Sequence, residues 1–313
     1  MSKDNNEFNL IEIMERIGSK EKARELIERL RWPDGPVCPH CGSDKIYRLS
    51  AKKNSKKPCR NGLLKCKDCR KQFSVTVGTI FEDSHIPLNK WLISIYLICA
   101  SKKGISANQL CRMLGITYKS AWFMAHRIRF AMSQQPLSEK LSLVVEADET
   151  YVGARSPGKR GRGAGNKTKV FSLIQRNGES RSFKVDNVKG KTLKAIIKKN
   201  VVDTAHVMTD EFKAYYGLEK LVAKHSTVNH GEKEYVRGIV HTNFAESYFS
   251  LLKRGILGTF HHVSEEHMQR YLDEFDYRWT RRNEDDGNNT VKAIEGAWGK
   301  RLQYKDSSNF AVN

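Results

Sequence analysis

Two closely spaced pairs of cysteines constrain the fold of this chain more than any other feature. Cys38 and Cys41 form one CxxC pair, and Cys66 and Cys69 form a second pair after an interval of 24 residues. Each CxxC turn directs two thiolates to one point, and Zn²⁺ takes four such ligands in a tetrahedron. The spacing therefore predicts a small zinc ribbon held by these four thiolates. The alternative is four reduced thiols without a metal.

The remaining thiols do not follow this spacing. Cys99 and Cys111 lie in apolar helical patterns, which predicts buried residues of the core. Cys59 and His40 lie near the paired cysteines and are the alternative zinc ligands. The longest apolar run, residues 91–100, is about half of what a bilayer requires, and the first residues contain no apolar signal core. We therefore expect a reducing, cytoplasmic location, associated with the bacterial nucleoid.

The charge of the chain indicates its partner. The 313 residues include 55 Lys and Arg against 35 Asp and Glu, which gives a formal net charge of +20. Duplex DNA carries one phosphate charge about every 1.7 Å, so a basic protein gains affinity by releasing counterions. The charge predicts double-stranded DNA as the partner. The alternative is a positive surface that only keeps the protein soluble.

Three helical patterns follow the paired cysteines, over residues 89–101, 106–114 and 117–132. Gly115 fits the short turn before the last helix, and Thr117 can cap it. A recognition helix combines an apolar stripe with polar residues that reach base edges. The pattern predicts a helix-turn-helix-like DNA-binding segment, or else a helical bundle with a basic outer face. The last helix offers four DNA-binding candidates, Lys119, His126, Arg127 and Arg129.

Three acidic residues follow apolar patterns in the second half of the chain. Asp148 ends the predicted strand LSLVVEAD, Asp210 ends the predicted strand AHVMTD, and Glu246 lies near the start of a predicted helix. Two such aspartates on neighbouring strands, with a third acid nearby, can hold two Mg²⁺ or Mn²⁺ ions. In so basic a chain, the pattern predicts metal-dependent chemistry on a phosphodiester. Taken singly, each acid is also an ordinary turn, cap or exposed residue.

The helix that carries Glu246 has an apolar stripe formed by Phe244, Tyr248, Leu251 and Leu252. Glu246 and Lys253 are seven residues apart, which is nearly two helical turns, so both lie on a face away from the stripe. A metal ligand and a phosphate-binding cation require this arrangement. A solvated, charged helical face is the alternative.

The order of these motifs resembles bacterial insertion-sequence transposases of the DDE superfamily, in the group with an N-terminal zinc ribbon and a DETYVG catalytic domain. The resemblance covers roughly residues 20–280. The matching motifs are the two CxxC pairs, Gly78-Thr79-Ile80-Phe81, Trp91, Lys103-Gly104-Ile105-Ser106, Asp148-Glu149-Thr150-Tyr151-Val152-Gly153, Thr209-Asp210-Glu211 and His241-Thr242-Asn243-x-x-Glu246.

The resemblance implies a ribonuclease-H-like core, dependence on Mg²⁺, binding to terminal inverted repeats, and attack of a 3′-OH on target DNA without a covalent protein intermediate. Asp148 and Asp210 match the first two catalytic positions. Glu246 is favoured as the third ligand, and Asn243 stays the alternative because some relatives use Asn. Glu149 and His241 are candidates to support the ligands, and His241 is also a candidate ligand.

The predicted fold class is α/β, with a ribonuclease-H-like domain behind a zinc ribbon and the helix-turn-helix-like segment. The predicted segments are an N-terminal helical segment at 1–33, the ribbon at 34–82, the helix-turn-helix-like segment at 83–136, the catalytic domain at 137–283 and a polar, frayed tail at 284–313. The glycine-rich loop 155–167 is predicted to follow a DNA backbone or to be only solvated. Its DNA-binding candidates are Lys159, Arg160 and Arg162.

Together these features predict a DNA transposase, with structural Zn²⁺ and two catalytic Mg²⁺ or Mn²⁺ ions. We expect a homo-oligomer on DNA because two element ends must be held together, and we expect no membrane partner and no small-molecule substrate. One alternative is a DNA-binding regulator with a decayed nuclease domain, which the intact acids oppose. Another is a metal-dependent nuclease without strand transfer.

Overall fold

The structure is a computed structural model that describes residues 9–49, 61–133, 139–153, 167–232 and 234–303. Cys59, Lys159, Arg160 and Arg162 lie outside the described residues. The chain forms two compact units. The first comprises Met1–Ser101, Ala107–Met132 and Asn283–Ser307, and the second comprises Lys102–Ser106, Ser133–Arg282 and Ser308–Asn313.

The first unit begins with two short helices, α1 (Leu10–Ile17) and α2 (Lys20–Arg31). Ser19 separates them because its hydroxyl accepts a hydrogen bond from the backbone N–H of Lys22 and caps α2. A three-stranded antiparallel sheet follows, in the order β1 (Ile46–Arg48), β2 (Leu64–Cys66) and β3 (Gln72–Phe73). This sheet is the ribbon that the cysteine spacing predicts.

Three helices continue the first unit: α3 (Leu88–Ala100), α4 (Ala107–Leu114) and α5 (Tyr118–Met132). Gly115 lies between α4 and α5 with a φ of 58°, a left-handed conformation that glycine adopts readily. The three predicted helices are therefore present, with ends within two residues of the predicted ones.

The tail predicted as frayed instead contains helix α9 (Asp286–Glu295), which packs against α3 and α5 within the same unit. The Asp285 side chain caps this helix by accepting from the Asn288 N–H at 2.8 Å. Ala293 and Ile294 are buried. The prediction of a frayed tail is therefore wrong over residues 286–295, where a capped helix packs its apolar side chains on one face.

The second unit is built on a five-stranded mixed sheet. Its strands are β4 (Val144–Val152), β5 (Thr168–Gln175), β6 (Ser180–Val185), β7 (His206–Asp210) and β8 (Lys224–Val228). Their order in the sheet is β6-β5-β4-β7-β8. Strand β5 is antiparallel to both of its neighbours, β6 and β4, whereas β4, β7 and β8 run parallel to one another.

Helices cover both faces of this sheet. Leu193 and Ile197 of α6 (Gly190–Asn200) belong to a core with Val145 and Ala147 on one face. On the other face, α7 (Asn243–Gly255) and α8 (Met268–Thr280) share a core with Val152, Val170 and Ile174. Because successive side chains of β4 point to opposite faces, Val145 and Ala147 pack with α6, whereas Val152 packs with α7 and α8.

Three elements of the second unit differ from the predictions. Strand β4 continues to Val152, so Asp148 lies within the strand. The sequence EFKAYYGLEKL, residues 211–221, predicts a helix, but it forms two 3-10 turns, Lys213–Tyr215 and Leu218–Lys220, because Gly217 between them has a φ of 79°. Strand β8 is an unpredicted element, since its sequence KHSTV contains a single aliphatic residue.

Across the described ranges, no helix has both the length and the apolar character needed to cross a membrane.

Candidate metal centres

The four paired cysteines meet at one point in the ribbon. The Sγ atoms of Cys38 and Cys69 are 3.6 Å apart, and those of Cys41 and Cys66 are 3.7 Å apart. All four sulfurs lie within 4.8 Å of one another. Tetrahedral zinc with bonds of about 2.3 Å spaces its sulfur ligands by about 3.8 Å. The thiols are therefore placed as a zinc site requires, and too far apart for a disulfide.

His40 is exposed and turns its ring edge-on to Phe73, with the ring centroids 6.4 Å apart, so it lies outside the group of four sulfurs. Cys99 is buried, as its apolar pattern predicts, and its thiol faces the backbone oxygen of Asn289. Cys111 is half-buried, and its thiol donates to the backbone oxygen of Ile116. These two cysteines belong to the packing of the helices.

A second group of ligand atoms lies at the middle of the mixed sheet. Carboxylate oxygens of Asp148, Glu149 and Asp210 all lie within 4.8 Å of one another. Asp210 ends β7, as predicted. Parallel pairing between β4 and β7 stops at Glu146 and Met208, two residues before Asp148. Because the two strands no longer pair beyond that point, their acidic side chains can share the space between them.

The electrostatics of this acidic cluster favour a bound cation. Burial raises the pKa of Asp148 well above its usual range, and the charges of Glu149, Asp210 and Glu246 act in the same direction. Carboxylates held this close repel each other, and a divalent cation removes the repulsion. Oxygen ligands are also the donors that Mg²⁺ and Mn²⁺ prefer. The residues therefore fit the metal that the DDE resemblance implies.

Glu149 reaches the cluster from the other face of the strand. Its carboxylate accepts a 2.7 Å hydrogen bond from the Tyr215 hydroxyl, and Tyr215 is buried in the core beneath α6. Successive residues of a strand point to opposite faces, so Asp148 lies on the side of α7 and Glu149 on the side of α6. The sequence predicts only a supporting role for Glu149, but its carboxylate is close enough to the two aspartates to be a ligand itself.

Helix α7 carries the remaining candidates. Glu246 is in its first turn, and one carboxylate oxygen lies 3.7 Å from Nε2 of His230. Glu246 is outside the 4.8 Å group, but its charge contributes to the raised pKa of Asp148. Asn243 is the exposed first residue of the helix. Both positions therefore stay candidates for the third ligand.

The predicted stripe of α7 packs in the core of the second unit, and Glu246 and Lys253 are both exposed on the helix. Partial burial lowers the pKa of Lys253, while the charge of Asp148 raises it and that of Lys167 lowers it. Lys253 is thus close enough to the acidic cluster to interact with it. A cation in this position can contact a phosphate of a bound strand.

A buried acid that the sequence analysis did not single out is Glu146. It is fully buried in β4, two residues before Asp148 on the same face of the strand. Its carboxylate contacts Arg176, His241 and the first backbone N–H groups of α7. The signal was visible as a glutamate within the apolar run VVEA. His241 belongs to this contact set, and it is outside the acidic cluster.

The DNA-binding candidates of α5 are mostly in the interior. His126, Arg127 and Arg129 are 0%, 5% and 2% exposed. Arg127 donates from its guanidinium to the backbone oxygens of Leu302, Ile80 and Glu82. The burial of these three side chains contradicts their prediction as DNA contacts, and the three backbone oxygens account for the burial of Arg127. Lys119 is exposed at the start of the helix.

The comparisons with known proteins agree with these two centres. Residues 140–280 match the ISXO2-like transposase domain, and residues 18–72 match the transposase zinc-ribbon domain. The chain is 30% identical over 277 residues to a Halobacterium salinarum protein described as "Uncharacterized protein in transposable element ISH50". That match covers 83% of this chain and 90% of the relative.

Two solved structures also align with the chain. The Mos1 strand transfer complex does so at 12% identity over 58% of this chain and 73% of that chain, with a TM-score of 0.21. A pre-cleavage Mos1 transpososome does so at 11% identity over 96% and 99%, also with a TM-score of 0.21. These scores are too low to establish a common fold. From the sequence matches, the chain belongs to the insertion-sequence transposases that combine a transposase zinc ribbon with an ISXO2-like transposase domain.

Proposed function

We propose that this transposase binds the terminal inverted repeats of its element and catalyses metal-dependent strand cleavage and strand transfer. The observation that carries the proposal is the acidic cluster around Asp148, within the ISXO2-like domain of a chain whose net charge is +20. Half-buried carboxylates that repel each other are more typical of a catalytic metal site than of a surface that only binds DNA. Such repulsion costs stability, so its presence supports a catalytic function.

Asp148, Asp210 and Glu246 would hold the divalent ions, Mg²⁺ or Mn²⁺. When bound, such ions activate the attacking oxygen and stabilise the leaving oxygen at phosphorus. Glu246 is preferred over Asn243 because it shares an exposed face of α7 with Lys253 and because a carboxylate is a better ligand for these ions than an amide. Glu149 is a further candidate ligand, since its carboxylate is within the 4.8 Å group and is oriented by Tyr215. Lys253 would bind a phosphate of the reacting strand.

The reaction proceeds in two displacements at phosphorus. In the first, water attacks at the element end, one P–O bond breaks, and a free 3′-OH and a 5′-phosphate remain. In the second, that 3′-OH attacks a target phosphodiester, so one P–O bond forms as another breaks and a target 3′-OH leaves. The residues of the chain orient the strand and its attacking group, and no covalent protein intermediate forms.

The sheet supports a ribonuclease-H-like catalytic domain. Three antiparallel strands continue into two parallel strands in the order β6-β5-β4-β7-β8, with helices on both faces. The two catalytic aspartates lie on the neighbouring central strands β4 and β7. A ligand set on adjacent strands is held rigidly, which two-ion chemistry requires.

Basic side chains indicate where the reacting strand would lie. A cavity of about 400 Å³ opens where β4 ends, and its lining includes Lys167, Lys169, His261 and His262. The charge of Lys167 lowers the pKa of Lys253, which supports a common location for the two cations. The proposed path of the strand runs from Lys253 past Lys167 into this cavity. In the first unit, Lys119 is the exposed candidate of the helix-turn-helix-like segment.

A labelled duplex that carries the element's own end tests the proposal. Wild-type protein with Mg²⁺ should cleave the end and join it to a target, and Asp148→Asn and Glu246→Gln should each lower the rate by about 10²-fold or more without loss of DNA binding. Glu149→Gln and Asn243→Ala are the matched comparisons. Full activity of Glu246→Gln would move the third ligand to Glu149 or Asn243. Binding without cleavage, in Mg²⁺ and in Mn²⁺, would contradict the proposal.

A further inference from the structure

The side chain of Glu146 is a buried charge of the second unit with partners on both carboxylate oxygens. It is 0% exposed and lies on β4. One carboxylate oxygen accepts from the backbone N–H groups of Phe244 and Ala245, at 2.8 and 3.1 Å. The other faces the guanidinium Nε of Arg176 at 2.8 Å and Nδ1 of His241 at 3.2 Å.

Arg176 extends this network into the segment that precedes α7. Its guanidinium donates to the backbone oxygens of Ile239 and His241, at 2.8 and 3.1 Å, and to Nδ1 of His241 at 3.0 Å. Its side chain is only 16% exposed. One arginine therefore connects a strand carboxylate to the backbone on the approach to the helix.

The two N–H groups that Glu146 accepts from are among the first of α7, which have no partner within the helix. A carboxylate at this position also interacts favourably with the positive end of the helix. The capping group belongs to a different element, however, so it fixes the helix against the sheet. The Thr242 side chain, at the usual capping position, makes no cap hydrogen bond of its own.

We propose that Glu146 is a positioning residue that sets Glu246 relative to Asp148, an inference that rests on the proposed function. Glu146 and Asp148 are two residues apart on one face of β4, and Ala245, which bonds to Glu146, directly precedes Glu246. The strand thus supplies one metal ligand itself and holds the other through the helix start. Arg176 keeps the Glu146 carboxylate in place.

Glu146→Gln tests this with little change in volume. The retained oxygen accepts from the helix more weakly because it no longer carries a charge. The new amide group also opposes the guanidinium of Arg176. Hydrogen exchange in peptides from the start of α7 should accelerate in the metal-free protein. Mn²⁺ affinity, measured by electron paramagnetic resonance without DNA, should fall by about 10-fold, as for other groups that orient metal ligands.

The decisive comparison is made in the Glu246→Gln background. If Glu146 acts through Glu246, adding Glu146→Gln there should change Mn²⁺ affinity by less than about 2-fold, since coupled residues are not additive. Arg176→Gln combined with Glu146→Gln should recover part of the lost affinity, because two neutral amides can bond again. The matched control is Glu274→Gln, a buried carboxylate paired with Arg278 within α8, which should leave Mn²⁺ affinity unchanged.

Equal losses of affinity from Glu146→Gln in both backgrounds would overturn the inference, as would unchanged exchange at the start of α7. Should Glu146→Gln not fold, Arg176→Lys gives the same tests, since it keeps the charge and loses the paired contacts. If Glu246→Gln alone leaves Mn²⁺ affinity unchanged, the proposed ligand set fails, and the exchange measurement still tests whether Glu146 positions the helix.

Discussion

The two candidate metal centres are built in opposite ways. The four thiols of the ribbon come from two local turns, and their sulfurs already have the spacing of zinc ligands. The acids around Asp148 come from β4 and β7, and the chain reaches β7 only after β5, β6 and the crossing helix α6. Two short turns bring the thiols of the ribbon together, whereas the topology of the sheet brings the acids together.

The difference also concerns what holds each centre in place. Among the described residues of the ribbon, few buried side chains accompany the cysteines. Leu64 and Phe73 are the other buried members of that described core. The acidic cluster lies between two extensive cores of the second unit. We infer that the ribbon depends on its metal to fold, whereas the sheet folds without metal and tolerates the repulsion among its carboxylates.

Removal of zinc should produce the largest effect. Structural zinc contributes on the order of 10 kcal/mol to folding in small zinc domains. A strong chelator, or Cys66→Ser, should therefore unfold the ribbon and leave the strands of the second unit protected. Hydrogen exchange by mass spectrometry would report both units in one experiment. Equal loss of protection in both units would show that the comparison is wrong.

The stability of the two units should also change with pH in opposite directions. Burial raises the pKa of Asp276 to about 6, against hydrogen bonds from Tyr248 and Ser182 that lower it. Because the folded pKa is raised, this contribution to stability is complete below the unfolded pKa of about 4 and is lost as the pH rises through about 6. Zinc thiolates require deprotonated sulfur, so the ribbon loses stability as the pH falls.

The measurement is the free energy of unfolding in urea for wild type and Asp276→Asn, with hydrogen exchange in the second unit as the readout. The advantage of the wild type over the variant should shrink by on the order of 1–3 kcal/mol between pH 4 and pH 7. A difference that is constant with pH would mean that Asp276 does not titrate in this range.

Removing one carboxylate of the acidic cluster should have the smallest effect on stability, and it should be favourable. Without metal, Asp148→Asn relieves burial of a charge and its repulsion by Glu149, so the second unit should gain on the order of 1 kcal/mol. Cys66→Ser, in contrast, should lower the stability of the ribbon. Thermal unfolding in chelator and in Mg²⁺ checks this, since Mg²⁺ should stabilise only the wild type. A destabilised Asp148→Asn in chelator would contradict the account.

Much of the site could be predicted because its signals are local. The CxxC spacing, the strand that ends at Asp210, and the stripe of α7 each involve residues within two helical turns or one strand. Glu246 and Lys253 are exposed on that helix, as their spacing indicates. The length of β4 could not be read in this way, since the pairing with β5 that extends it to Val152 lies on a different part of the chain.

The missed buried charges share a physical cause, which is that burial is decided by distant partners. Arg127 is charged and yet buried, because carbonyl groups from residues 80, 82 and 302 satisfy its guanidinium. Glu146 is buried because Arg176 and the start of α7 satisfy it. A charged residue in an apolar run signals such a partner, but the sequence does not say which residue it is.

The central claim is that Asp148 binds a catalytic divalent ion, and Asp148→Cys tests it most directly. A cysteine side chain binds Mg²⁺ poorly and softer ions better. We expect this variant to cleave the labelled element end at least about 10²-fold more slowly than wild type in Mg²⁺ and to recover a large part of that loss in Mn²⁺. Wild-type rates in Mg²⁺, or no recovery in Mn²⁺ from a folded variant that still binds DNA, would contradict the claim.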